Sequence, residues 1–218
     1  MTKELKKRIF TSLCLIILLG LVFFYSYILI ISLIIITIIS WIEFQGLIIK
    51  IFRKKRYKSN ILILFIKALI LLYLSCFSFL IFSAITYDET LLIIYLFSIC
   101  VFSDIGGFVF GKTFKGKKLT KISPNKTISG LIGSFILSLV LVPFFYFYLK
   151  NLSITDLIIV SIVVSFFCQL GDLFVSYLKR KAKVKDTGDI LPGHGGILDR
   201  IDGILFAVPV GLMIIRIL

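Results

Sequence analysis

The sequence predicts an all-α, polytopic integral membrane protein, with about seven transmembrane helices and a cytoplasmic N-terminus. Three observations carry this expectation. Of the 218 residues, 59% are apolar and 17% charged, and the mean hydropathy is +1.10, whereas soluble domains run near half apolar and a quarter charged. Apolar stretches long enough to cross a bilayer core, about 20 residues at about 1.5 Å each, recur along the whole chain. Lastly, 22 of the 25 Lys and Arg residues fall in four stretches that a seven-span map places on one side. A soluble domain of this length has too little core to hide so much Leu, Ile and Phe. Disordered and disulfide-stapled chains are excluded by the same composition. The four cysteines, Cys14, Cys76, Cys100 and Cys168, all lie in apolar runs without metal-ligand spacing and read as reduced thiols.

The elements follow in order. Residues 9–42 are apolar or weakly polar throughout, too long for one span, so a tight hairpin is expected, with helices at 9–25 and 28–50 and a turn near Tyr25-Ser26-Tyr27. Lys3, Lys6, Lys7 and Arg8 before an apolar run imitate a signal peptide, but no small-residue cleavage site follows, which reads as an uncleaved first span. Further spans are expected at 61–83, 90–110, 128–149, 156–178 and 201–218. No internal repeat and no linker divides the chain, so 1–218 reads as a single membrane domain. The basic stretches at 1–8, 50–58, 112–126 and 179–200 are then cytoplasmic, while the opposite loops near 84–89 and 150–155 hold only Lys150 among the basic residues, with Asp88 and Glu89. This distribution accounts for the net charge of +14 as topology and attraction to anionic lipid, so no nucleic-acid partner is expected.

Charged groups inside a span are costly and usually face a wet cavity. Asp104 lies in the cytoplasmic half of the fourth span, before Gly106 and Gly107. On the sixth span Gln169, Asp172, Ser176 and Lys179 are spaced three, four and three apart, one helical stripe that ends at Lys179-Arg180. Next come Lys185 and Asp186, then Gly193-His194-Gly195-Gly196 before Asp199, Arg200 and Asp202. Three glycines around the only histidine suit backbone contact with an anion, and the helix N-terminus just beyond favours a phosphate. The loop Ser123-Pro124-Asn125-Lys126-Thr127 adds a polar, cationic phosphate-binding set. Carboxylates grouped with Lys, Arg and glycine loops at one membrane face suggest Mg²⁺-bridged polyphosphate, a soluble nucleotide meeting a lipid phosphate or hydroxyl.

From Ser176 to Asp202 the chain resembles the signature of phosphatidate cytidylyltransferases (CDP-diacylglycerol synthases) at every specified position, over 27 residues without a gap. Upstream, Asp104-Ile105-Gly106-Gly107-Phe108 with Gly111-Lys112, and Ile122 to Thr127 with Gly130, are similar to the same family's patterns in the same order. The resemblance therefore covers 100–203, the catalytic helices and loops, while 1–99 shares hydropathy and Trp41-Ile42-Glu43-Phe44. The chain departs from the family at Gly107-Phe108, where Ala-Tyr is usual, and at Ser129, where an acid is usual.

The resemblance implies an Mg²⁺-dependent nucleotidyltransferase of phospholipid biosynthesis, in the cell membrane of a bacterium, with its active site at the cytoplasmic face. CTP and phosphatidate would give CDP-diacylglycerol and pyrophosphate. Asp172 and Asp199 would be the metal-centre carboxylates, with a second cation and a homodimer left open. Catalysis would rest on Asp172, Asp199, Lys126, Lys179 and Arg200. Substrate binding would fall to Asp104, Ser123, Asn125, Lys126, Thr127, Ser176, Lys179, Arg180, Lys185, Gly193, His194, Gly195, Gly196 and Asp202. Two other readings are a CTP-dependent polyprenol or lipid kinase and an ion-coupled transporter. The kinase would yield lipid phosphate and CDP. The transporter would need polar groups through the whole membrane depth, whereas here they cluster at one face.

Overall fold

The computed structural model describes residues 20–21, 25–53, 60–120, 122–193 and 195–218. Among these the fold is helical, with two isolated β-bridges, Lys118 with Thr127 and Leu191 with Gly195. The helices are α1 (Ser26–Arg53), α2 (Asn60–Thr86), α3 (Thr90–Phe114), α4 (Ile128–Leu139), α5 (Val142–Tyr146), α6 (Ile154–Ala182) and α7 (Leu198–Ile215). Among the described residues, five helical stretches are long and apolar enough to cross a membrane: Tyr27–Phe52, Ile61–Thr86, Thr90–Phe114, Ile128–Tyr146 and Ile154–Ala182. They coincide with five of the expected spans. The expected span at 9–25 and the basic stretches at 1–8 and 54–58 lie essentially outside the described residues. The last expected span, 201–218, falls within α7 and the turn after it, but α7 begins with Asp199, Arg200 and Asp202 in its first five residues.

Two boundaries depart from the sequence reading for identifiable reasons. The expected helix at 128–149 breaks after Leu139 and restarts as α5. Pro143 has no N–H to give the carbonyl four residues back. The chain therefore tightens into a turn, with Leu141 N–H donating to Ser138 O at 3.3 Å. The sixth helix runs on to Ala182, past the expected end at 178. It stops because Lys183 adopts a left-handed conformation with φ of 58°. Lys183 N–H then donates to Arg180 O at 3.2 Å and Val184 N–H to Lys179 O at 3.0 Å, the paired bonds of a Schellman cap made here without glycine.

The described residues belong to two compact units, one within Met1–Phe82 and Leu178–Ile201, the other within Ser83–Tyr177 and Asp202–Leu218. In the first, Leu33, Phe44, Leu47 and Ile48 of α1 and Leu74, Phe77 and Ile81 of α2 are buried. In the second, Tyr95, Leu96 and Ile99 of α3, Leu157, Val160 and Val164 of α6, and Leu205, Val208 and Leu212 of α7 have no exposed surface or almost none. Tyr95 donates its hydroxyl to Leu157 O at 2.9 Å, and Ser103 and Ser165 hydroxyls meet at 2.9 Å, so α3 and α6 are joined by bonds that apolar packing alone would not specify.

Glycine sets the spacing of α3 against α4. A Cβ on Gly106 would lie 2.4 Å from Gly133 O, and one on Gly130 would lie 2.7 Å from Gly107 O. Only hydrogen at these positions lets the two backbones approach so closely. Gly107, one of the departures from the family pattern, has Ser134 Oγ 2.9 Å from where its Cβ would stand, so the serine occupies the space an alanine would need.

Candidate functional site

The second unit gathers Asp104, Lys126, Asp172 and Ser176. Lys126 immediately precedes α4, and its direction is fixed on both sides. Its N–H donates to Ser123 O at 3.1 Å and its carbonyl accepts from Leu119 N–H at 2.8 Å. Next to it, Thr127 caps α4 by accepting from Gly130 N–H at 3.1 Å. So anchored, Lys126 Nζ forms an ion pair with Asp172 Oδ2, and Ser176 Oγ, one turn further along α6, donates to Asp172 Oδ1 at 3.3 Å. Asp104 lies within electrostatic reach of both Asp172 and Lys126 and receives Cys168 Sγ at 3.9 Å. The pair is part-exposed, at 25% for Lys126 and 31% for Asp172. Gln169, on the same stripe, is buried, and its Nε2 has no partner among the described residues.

The first unit gathers Glu43, Lys179, Thr187 and Asp199. Lys179 Nζ lies 2.6 Å from Asp199 Oδ1, with exposures of 15% and 6%. Asp199 Oδ2 accepts Thr187 N–H at 2.8 Å and Gly196 N–H at 3.1 Å, and Thr187 Oγ1, whose one hydrogen is shared between this oxygen and Glu43, lies 2.9 Å away. Burial pushes the Asp199 carboxyl up. The Lys179 hydrogen bond, the two backbone N–H bonds and the Lys179 charge outweigh burial, and hold the carboxyl below the ordinary carboxylate value.

One anion in this cluster is supplied by the chain itself. Glu43, mid-way along α1 and 4% exposed, accepts Ile197 N–H at 3.1 Å, Leu198 N–H at 2.9 Å and the Thr187 hydroxyl at 2.8 Å. The sequence reading gave the glycine loop and the α7 N-terminus to a bound phosphate. In the structure the amides of Ile197 and Leu198 go to Glu43 and that of Gly196 goes to Asp199. These are the orphan donors of a helix start, met by carboxylates at the positive end of the helix.

The other expected site residues are placed as follows. Ser123 closes the turn before Lys126, and Asn125 is exposed beside it. Arg180 and Arg200 are exposed in the last turn of α6 and the first of α7, and Lys185 is exposed in the loop between them. Gly193 and Gly195 adopt φ of 79° and 83°, conformations that favour glycine. Asp202 Oδ1 accepts the N–H of Gly203 at 2.9 Å. His194 lies outside the described residues. Ser129, the second departure from the family pattern, donates its hydroxyl to Lys115 O. Asp172 and Asp199, which the sequence reading joined as one metal centre, each have a lysine partner, and they belong to different units. Glu43 and Thr187 were not singled out for this role. The signal for Glu43 was available, since it is the only acid in α1, and an acid in a span is costly.

Comparison with known proteins agrees with the motifs. The phosphatidate cytidylyltransferase of Staphylococcus haemolyticus is 46% identical over 133 residues, covering 60% of this chain and 51% of that protein. That of Staphylococcus aureus is 47% identical over 119 residues, covering 54% and 46%. That of Rickettsia typhi is 41% identical over 136 residues, covering 57% and 59%. The chain thus spans about half the length of these relatives in the matched regions. The sequence model described as the cytidylyltransferase family matches residues 1–218, the whole of the sequence, and the chain belongs to that family.

Proposed function

We propose that the protein is a phosphatidate cytidylyltransferase, which joins CTP and phosphatidate into CDP-diacylglycerol and releases pyrophosphate. A phosphatidate oxygen would attack the α-phosphorus of CTP. The new P–O bond would form as the bond from that phosphorus to the β-phosphate oxygen breaks. The nucleophile is already anionic, so the residues need not remove a proton. The barrier is the approach of two polyanions, and it falls when fixed cations neutralise charge and align the attack. The observation that supports this most is the pairing of each candidate lysine with a carboxylate, Lys126 with Asp172 and Lys179 with Asp199. A lysine so held stays extended and oriented, and can exchange its carboxylate for a phosphate oxygen without being ordered anew.

Mg²⁺ is proposed as the cofactor. Asp172, with Asp104 within electrostatic reach, provides the hard oxygen donors this ion takes. Asp199 is likewise proposed as a metal carboxylate. Among the described residues no three His, Cys, Asp or Glu side chains group so as to hold a metal ion by themselves, so the remaining ligands of a bound Mg²⁺ would be waters and substrate phosphates. When bound, Mg²⁺ supplies neutralisation of the polyphosphate charge. Arg180, Lys185, Arg200 and His194, with the 123–127 turn, Gly193 and Gly195, are proposed to hold the nucleotide and the departing pyrophosphate. The proposed topology keeps seven spans, a cytoplasmic N-terminus and a cytoplasmic site, on the strength of the one-sided Lys and Arg distribution.

Purified protein in mixed micelles, given labelled CTP, phosphatidate and Mg²⁺, tests the proposal. A labelled CDP-lipid with one pyrophosphate per turnover is expected. Lipid phosphate with CDP from a polyprenol would instead show a kinase, and no lipid product would overturn both.

A further inference from the structure

We propose that Glu43 is a positioning residue for Asp199, acting through Thr187 and the N-terminus of α7; its consequence for turnover rests on the activity proposed above. Glu43 is remote in sequence, 144 residues from Thr187 and 155 from Leu198. A carboxylate in the middle of an apolar helix is retained only where donors meet it. Here both edges are used: Oε1 takes Ile197 N–H, and Oε2 takes Leu198 N–H and the Thr187 hydroxyl. The two amides are the first of α7, so the charge of Glu43 sits at the positive end of that helix.

Thr187 is the link. Its hydroxyl oxygen stands 2.8 Å from Glu43 Oε2 and 2.9 Å from Asp199 Oδ2, and its backbone N–H donates to that same Asp199 oxygen at 2.8 Å. One residue therefore contacts both carboxylates. With Gly196 N–H added, two backbone N–H groups fix Asp199 Oδ2, the Thr187 hydroxyl hydrogen is shared between that oxygen and Glu43, and the opposite oxygen, Oδ1, is left facing Lys179. Glu43 thus sets which way Asp199 presents its reactive edge.

The glycines support the same conclusion independently. Gly188 and Gly196 are not among the positive-φ residues, so backbone conformation does not explain them. Space does. A Cβ on Gly188 would lie 2.7 Å from Glu43 Oε1, and one on Gly196 would lie 2.4 and 2.5 Å from the two Glu43 oxygens. Two bare backbone positions make the cradle that receives the Glu43 carboxylate.

Three variants test the proposal, with two readouts. Thr187→Val keeps the shape and the backbone N–H but removes the hydroxyl. It should lower kcat about tenfold, about 1.4 kcal/mol of transition-state stabilisation, with KM for CTP within about twofold, and Thr187→Ser should restore kcat. A purely structural role would reduce the folded fraction without this split or this rescue. Glu43→Gln replaces one acceptor edge with a donor NH₂, and both edges now receive donors, so at least one bond to α7 is lost. Amide hydrogen exchange at Ile197 or Leu198 should then quicken tenfold or more, while α3 and the centre of α6 stay protected. Unchanged exchange at both amides, or wild-type kcat in Thr187→Val, would overturn the proposal. Should the wild type make no CDP-lipid, the activity assignment fails while the exchange measurement still decides whether Glu43 holds α7.

Discussion

Asp172→Asn and Asp199→Asn make the same chemical change, yet the structure predicts different losses of stability. Asp172 is 31% exposed and its partner Lys126 25%. Part-exposed ion pairs contribute about 0–1 kcal/mol, so Asp172→Asn should cost no more than about 1 kcal/mol of folding. Asp199 is 6% exposed and Lys179 15%, and two backbone N–H groups converge on the second oxygen of Asp199, with the Thr187 hydroxyl shared between it and Glu43. Removing that charge leaves a largely buried lysine uncompensated, which costs roughly 3–5 kcal/mol. An asparagine also turns an NH₂ group toward either Lys179 or the N–H groups of Thr187 and Gly196. The difference is about 2–5 kcal/mol. At roughly 2–4 °C per kcal/mol for a chain of this size, that is a Tm gap on the order of 4–20 °C. Thermal unfolding of both variants in one detergent, followed beside CDP-lipid formation, measures it. Both should lose at least about 100-fold in turnover if the carboxylates serve the chemistry. Equal Tm losses, or the larger loss at Asp172, would refute the burial argument. Near-wild-type turnover in a folded Asp172→Asn would refute the catalytic assignment.

Cysteines placed at Lys118 and Lys183 should be labelled only from the cytoplasmic side, and labelling by an impermeant reagent on intact cells would sink the topology. Gly196→Ala should destabilise by about 2 kcal/mol through overpacking, because its Cβ would meet Thr187 Oγ1 at 2.2 Å. Gly46→Ala, in α1 with nothing within 4 Å, should instead stabilise by about 0.5–1 kcal/mol; thermal unfolding of the pair measures both. Lys179→Met should lower kcat/KM for CTP tenfold or more, whereas Lys181→Met, exposed two residues on, should stay within about twofold; equal effects would make Lys179 an anchor rather than a phosphate contact.

What the sequence made legible was set by range. The five membrane-length helices follow from apolar runs bounded by charge, a local signal. The pairing of Ser176 with Asp172 is an i, i+4 contact and follows from the stripe. Even the break after Leu139 was open to reading, since Pro143 removes the bond that would carry the helix across it. The partners of Lys126 and Lys179 were not legible. Lys126 and Asp172 are 46 residues apart, and nothing in periodicity selects one lysine from the many that line the basic loops. Asp172 and Asp199 looked equivalent as the two metal-centre carboxylates the resemblance implies, and their burial and partners separate them.

The glycine loop shows why a motif can announce an anion without naming it. Glycines before a helix N-terminus announce that a negative group comes close to backbone N–H. The sequence does not say whether that group is a ligand or a side chain. Here the anions at the amides of Gly196, Ile197 and Leu198 are Asp199 and Glu43, and Gly188 and Gly196 are bare to admit Glu43. Those N–H groups are therefore committed to architecture. On the proposed reading, neutralising a polyphosphate would fall to cations, and Lys126 and Lys179 are two whose direction is already fixed by a carboxylate. On that reading, a phosphate would compete with Asp172 or Asp199 for its lysine, so each carboxylate would be released from its cation, within its own unit, as the lysine is taken.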